Sequence, residues 1–119
     1  MRERNTFRFF LTEITKELTS IKEKYKEYFS TLNIYEFKDK LSIDLIVVKE
    51  KSSGHGSALM KDLCLYADKT KKMIILTPSD EFGSSKSDLI KFYKKFNFVE
   101  NNGDDKIFGV FEEMYRLPK

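Results

Sequence analysis

Apolar residues in the first quarter of the chain fall at Phe7, Phe10, Leu11, Ile14, Leu18, Ile21, Tyr25, Tyr28, Phe29 and Leu32. This is the mixed three- and four-residue spacing of one helical face, and it predicts helix from Phe7 to Leu32. Ser20 followed by Glu23 has the form of a capping box, so one long helix and two helices broken near Thr19 and Ser20 both fit. The period then changes. Asn33 to Phe37 and Leu41 to Val48 read as strands, paired as a hairpin across the polar link Lys38 to Lys40. The second is apolar on both faces toward its end, as a central strand should be.

A polar loop, Lys49 to Ser53, leads into a helix from about Gly56 to Thr70 that buries Leu59, Met60, Leu63, Cys64 and Ala67, with Lys69, Lys71 and Lys72 complementing its negative end. Met73 to Thr77 is a short apolar strand closed by Pro78. Coming after a strand and a crossover helix, it is expected to run parallel to Leu41 to Val48. A further helix starts near Ser85 or Ser87, with Ser85 and Asp88 as capping candidates, runs through Leu89, Ile90, Phe92, Tyr93 and Phe96, and ends at Asn97. Phe98 to Glu100 and Met114 to Leu117 read as closing strands, separated by the turn-rich NNGDDK and a mixed piece from Ile107 to Glu113. The class is α/β in the α+β sense: a mixed, mostly antiparallel sheet containing one parallel βαβ pair, with helices on both faces.

Length and composition narrow the function classes. The 119 residues suffice for one domain with one core, spanning residues 1–119, with a helical N-terminal segment at 1–32 and a central unit at 41–100. Net charge is +3, from 22 basic and 19 acidic residues, too balanced to favour a nucleic-acid binder. No apolar run approaches the roughly 18 residues that span a bilayer, and the start MRERNTFRFF has no hydrophobic signal core, so a cytoplasmic protein without a membrane partner is expected. The lone Cys64 has no disulfide partner, one Cys with one His offers no metal-site spacing, and Cys64 falls among the packed positions of its helix.

The most informative stretch is LSIDLIVVKEKSSGHGSALM, Leu41 to Met60: an apolar strand, a short loop with two glycines, and a helix N-terminus. Unpaired amides at the start of a helix carry a partial positive charge and suit a phosphate. A nucleotide-triphosphate P-loop is excluded, because Gly54 and Gly56 are followed by Ser57 and Ala58 and no GxxxxGK[ST] occurs. Lys51, Ser52, Ser53, Gly54, His55 and Gly56 match [QR]xxGx[GA], and LIKFYKKFNF, from Leu89 to Phe98, matches LxxFYxKxGF. In these two motifs and their order the chain resembles the GNAT superfamily of acetyl-CoA-dependent N-acetyltransferases. Within it the chain is most like the very short phage-borne members, anti-CRISPR acetyltransferases included. Lys51 stands where Gln or Arg is usual and Asn97 where Gly is usual, and the Phe7 to Leu32 segment replaces much of the acceptor cleft of longer members.

The resemblance implies an N-acetyltransferase that moves the acetyl group of acetyl-CoA to a primary amine on a protein lysine, a protein N-terminus or a small molecule. It places the pyrophosphate on the amides of Lys51, Ser52, Ser53, Gly54, His55, Gly56 and Ser57, and the pantetheine arm along the backbone of Ile46, Val47 and Val48 like an added strand, with Phe92 beside the cofactor. Gly54 and Gly56 keep side chains away from the phosphates. Tyr93 is the candidate general acid, since a phenol with an ordinary pKa of about 10 carries its proton at neutral pH; as plain sequence, Phe92 and Tyr93 also fit core aromatics. His55, between two glycines, is expected to supply an amide and leave its ring in solvent. Asp44 fits either an acceptor-side carboxylate or a solvent-facing strand residue, and Lys94 and Lys95 either the cofactor's outer phosphate or a solvated helix face. A catalytically silent module that binds coenzyme A or a protein is the alternative reading. The oligomeric state stays open between monomer and homodimer.

Overall fold

Leu41 and Ile43 enter the core from a strand whose neighbours are supplied by the chain just before it and by the first strand after it, and the sheet grows outward from there. The structure, a computed structural model, describes residues 16–80 and 84–119. Helix α1 is described from residue 16 to residue 25, and a 3-10 turn at Lys26–Tyr28 ends it. There follow β1 (Phe29–Glu36), β2 (Lys40–Val48), α2 (His55–Thr70), β3 (Met73–Leu76), α3 (Lys86–Lys94), β4 (Val99–Glu100) and β5 (Met114–Arg116). The strands lie in the order β1-β2-β3-β5-β4. Only β2 and β3 run parallel; the other three pairings are antiparallel. The fold is thus the expected α+β arrangement, a mostly antiparallel sheet with one parallel pair joined through α2.

Two register shifts organise the hairpin. Ile34 faces Ile43 but Asn33 faces Leu45, which leaves Asp44 as an extra residue in β2; Phe29 faces Val48 but Thr31 faces Val47, which leaves Ser30 extra in β1. An inserted residue moves the side-chain alternation by one place. As a result Phe29, Leu32 and Ile34 on β1, and Leu41, Ile43, Ile46 and Val48 on β2, all pack into the same core.

This corrects the helix expected as far as Leu32, because the helix stops at residue 25. Phe29 and Leu32 are strand residues whose three-residue spacing comes from the irregularity at Ser30 and imitates a helical face. Ser20 and Glu23 lie inside uninterrupted helix, so no second helix begins there. The apolar positions Phe7, Phe10, Leu11 and Ile14 fall outside the described residues. Elsewhere the elements sit where the pattern put them: Ser85 caps α3 by accepting the Asp88 N–H at 3.1 Å, and Asn97, at φ 70°, turns the chain after it.

The large core gathers Leu59, Met60, Leu63, Cys64 and Ala67 of α2 against the sheet, with Leu18 and Tyr25 of α1 and Tyr93 of α3. A smaller cluster, Ile75, Tyr115 and Val110, occupies the other side of β3 and β5. Two polar assemblies fasten α2. Arg116, 4% exposed, forms a two-pronged pair with Asp68 at 2.8 and 3.1 Å and donates to Phe96 O at 2.9 Å. Lys72 is buried rather than poised as a dipole partner: its ammonium meets Glu36 and Phe37 O, each at 2.7 Å, and the Tyr66 phenol donates to the same Glu36 oxygen. The end of α2 is thereby tied to the turn of the hairpin.

Removing one partner of a buried ion pair strands the other, so Arg116→Ala is expected to lower unfolding free energy in urea by about 3 kcal/mol. A loss below about 1 kcal/mol would show that the pair does not hold the C-terminal strand to α2. The hydrogen bond from Arg116 holds the Asp68 carboxyl below its ordinary value. Its contribution is therefore present above the unfolded-state value and fades as pH falls below about 4, a fading that Asp68→Asn removes.

Candidate functional site at the splayed strand pair

The parallel ladder is short. It runs from Lys40 opposite Met73 to Ile43 opposite Leu76 and stops. β2 continues to Val48 against β1 alone, whereas β3 ends at Leu76 and its chain leaves through Thr77 and Pro78. Among the described residues, the edge of β2 from Asp44 to Val48 therefore has no strand on the β3 side. The ladder ends where Asp44 interrupts the regular pleat, so the bulge and the splay coincide. A crevice beyond the carboxyl ends of parallel strands is where open α/β sheets bind ligands.

At the same end lies the N-terminus of α2. Gly54 is its cap residue at φ +85°, with no side-chain cap and no acidic residue in the first turn. The first intrahelical bond runs from Ala58 N–H to Gly54 O at 3.0 Å. The amides of Gly56 and Ser57, and those of Lys51, Ser52 and Gly54 before them, have no acceptor among the described residues; Ser53 N–H closes a turn back onto Glu50, and His55 N–H makes only a 3.5 Å contact with Ser53 Oγ. Residues 51–54 are exposed and 55–57 half-buried. A row of donors with an uncompensated dipole is thus presented to solvent.

The loop that presents them is held from behind. Lys49 N–H donates to Tyr28 O at 2.9 Å, and the Ser53 hydroxyl donates to Glu50 O at 2.8 Å. The His55 ring stacks on Tyr28, with centroids 3.9 Å apart and planes 21° from parallel, and its Nδ1 lies 2.8 Å from Ser53 Oγ. The expectation of a ring left in solvent is corrected: His55 pins the loop to the 3-10 turn. Tyr28 escaped the sequence reading because it sat in the helical pattern, and only the Lys49 bond brings it beneath the loop.

Phe92 lies against this helix start. A Cβ built on Gly56 would stand 3.6 Å from Phe92 Cζ, an ordinary contact, so Gly56 is not crowded by the chain itself. Gly54 has open space around it and is constrained by its backbone angle instead. Next along α3, Tyr93 is 6% exposed, its ring 5.3 Å from that of Phe92 and 5.6 Å from that of Phe98. Its phenol has no hydrogen-bond partner among the described residues, and burial pushes its pKa up to about 12. The structure therefore brings Phe92 and the 51–57 amides together and sets Tyr93 in the core beside them.

The more distant candidates are otherwise engaged. Asp44 is exposed at the bulge and accepts from Ser42 Oγ at 2.6 Å, while Lys94 pairs with Glu100 at 3.0 Å. Among the described residues, no group of three or more His, Cys, Asp or Glu is placed to hold a metal ion, and no helix is long and apolar enough to cross a membrane.

Because an L-residue is strained at positive φ, Gly54→Ala is expected to cost about 1–2 kcal/mol of stability in urea unfolding, despite the empty space around the site. An unchanged midpoint would mean that the loop does not need the left-handed cap.

Comparison with known proteins corrects one expectation. No family model matches the chain, and no curated protein matches it. Membership of the GNAT superfamily is accordingly not carried forward: two short motifs, one with Lys51 and the other with Asn97 at an atypical place, do not amount to a family match. What the comparisons support is a likeness in fold to one solved structure, the crystal structure of anti-CRISPR protein AcrVA5. The TM-score is 0.52 and the identity 27%, over 69% of this chain and 83% of that one.

Proposed function

We propose that this chain transfers the acetyl group of acetyl-CoA to a primary amine. The observation that carries the reading is the meeting of two unsatisfied backbone surfaces at one crevice: the open β2 edge at Ile46, Val47 and Val48, and the unpaired amides within residues 51–57. Coenzyme A has complementary parts, a diphosphate for the helix start and an amide-bearing arm that can pair along a strand edge. Phe92, beside the helix start at Gly56, supplies an apolar wall. The resident chemistry of the bound thioester is an activated acyl group. The chain's residues hold it, exclude water and manage protons.

In the transfer, the neutral amine nitrogen forms a bond to the acyl carbon, the carbon–sulfur bond breaks, and the surplus amine proton passes to solvent. Tyr93 is assigned the donor to the departing sulfur. A phenol raised to about 12 is a weak acid against a thiol near 8.5, so in water the proton would stay on oxygen. Desolvation in the crevice raises the thiol as well, and that narrows the gap. Tyr93 thus acts chiefly by hydrogen-bonding the developing thiolate. The likeness to a protein named as anti-CRISPR fits an acceptor amine carried on a macromolecule, met in the cytoplasm where acetyl-CoA is at hand.

Acetyl-CoA at about 100 times its dissociation constant is expected to stabilise the fold by about 2.7 kcal/mol, and mass spectrometry to find an acetylated amine on an acceptor. Tyr93→Phe is expected to lower turnover by about 100-fold with that stabilisation kept. Stabilisation with no acetylation on any acceptor would instead identify a silent coenzyme A-binding module. With its pKa near 12, Tyr93 stays protonated across the working range, so the rate should climb with pH as the amine is freed and show no Tyr93-dependent fall below about pH 11. A fall near pH 9 that Tyr93→Phe abolishes would show that Tyr93 gives up its proton there and is not held protonated by burial.

A further inference from the structure

Phe108 and Phe111 stand in solvent at 101% and 92% exposure, on a loop that is otherwise firmly held. The Asn101 amide donates to Val110 O at 2.9 Å and Glu112 O at 3.0 Å, and its Oδ1 accepts Ile107 N–H at 2.8 Å. Ile107 and Val110 turn inward onto Ile75 and Tyr115, whose phenol donates to Asp105 O. Folding thus uses two of the loop's large apolar residues and leaves the two phenylalanines with no internal role. Single exposed apolar side chains are common, but two aromatics on one short, held segment mark an interaction site.

The loop borders the crevice. Glu113 N–H donates to Thr77 Oγ1 at 3.1 Å, at the point where the chain of β3 leaves the splay, and Lys86 at the start of α3 pairs with Glu113 at 2.7 Å. The loop is also acidic in a chain of net charge +3: DDKIFGVFEE, residues 104–113, sets Asp104, Asp105, Glu112 and Glu113 against Lys106 alone. Asp104 and Asp105 are exposed and in no ion pair among the described residues. Their carboxylates are open to a cation brought by another molecule.

We propose that this loop docks a partner-protein segment carrying a lysine or arginine beside aliphatic side chains, the aliphatic part lying on Phe108 and Phe111 and the cation on Asp104 and Asp105. The proposal deepens the acetyl-transfer reading by naming the kind of acceptor surface, and it rests on that reading only for the fate of the docked segment. Two aromatic side chains can bury on the order of 300 Å² on contact, enough to select a partner of this chemistry though not to bind a short peptide tightly.

The test uses a synthetic peptide with one arginine between leucines and one lysine farther along, titrated into the isotopically labelled full chain without acetyl-CoA and followed by NMR. Binding is expected to perturb resonances of residues 104–113. It is expected to weaken about tenfold when serines replace the leucines, when glutamine replaces the arginine, and in the Phe108→Ser/Phe111→Ser variant. Both phenylalanines are bare, so that variant should keep its melting point, which is checked in parallel. Asp104→Asn/Asp105→Asn should erase the preference for arginine over glutamine. No binding to the unaltered chain, or equal binding of the serine-flanked peptide, or undiminished binding to the double variant, each overturns the proposal. Failure of the transfer reading shows itself separately, as no stabilisation by acetyl-CoA and no acetylated lysine while the titration stands.

Discussion

One constraint governs the rest of this structure: the parallel ladder between β2 and β3 closes at Ile43 and Leu76 while β2 goes on. Asp44, the residue without a partner on β1, is the next residue along. A bulge bends its strand and increases its twist. β2 therefore departs from β3 with its core-facing residues re-phased, and Ile46 and Val48 still reach the core although the strand is leaving its neighbour. Without the phase change, the same apolar run would turn those two side chains outward. The crevice and the continuous core beneath it have a single origin.

The two ends of α2 are treated oppositely. Its C-terminal end is saturated: Lys71 in the left-handed region returns its N–H to Asp68 O, Lys72 N–H reaches Ala67 O, and Arg116 and Lys72 bring buried cations to the neighbouring carboxylates. Its N-terminal end is left without a side-chain cap and without an acidic neighbour. Helix ends that serve only stability are capped. A helix anchored at one end and bare at the other holds its N-terminal donors fixed, an arrangement that would lower the ordering cost for any ligand they met.

Much of this was legible in the sequence, because the elements with strong periodic or capping signals carry their own explanation. The four apolar positions Leu59, Met60, Leu63 and Ala67, the cap at Ser85, the left-handed Asn97 and the hairpin at Lys38 to Lys40 depend on local chemistry and appeared where expected. The helix limit failed because a bulged strand and a helix share a three-residue spacing, and single-chain periodicity cannot separate them at Phe29 and Leu32. The loop amides and Phe92 could be named from motif spacing. The Tyr28 and His55 stack and the Glu36, Tyr66 and Lys72 assembly could not, because each joins residues far apart along the chain. Family membership does not follow from two short motifs, one with Lys51 and the other with Asn97 where other residues are usual.

β1 is an outer strand of the sheet, and its irregularity at Ser30 has a consequence for crowding. A smooth outer strand invites the backbone of another molecule to zip onto it, and a kink there spoils the match. The inner edge of β2 beyond Ile43 lies inside the sheet order, with β1 paired on its far side and β3 diverging from it. The irregular rim thereby discourages strand-on-strand association between copies of the molecule.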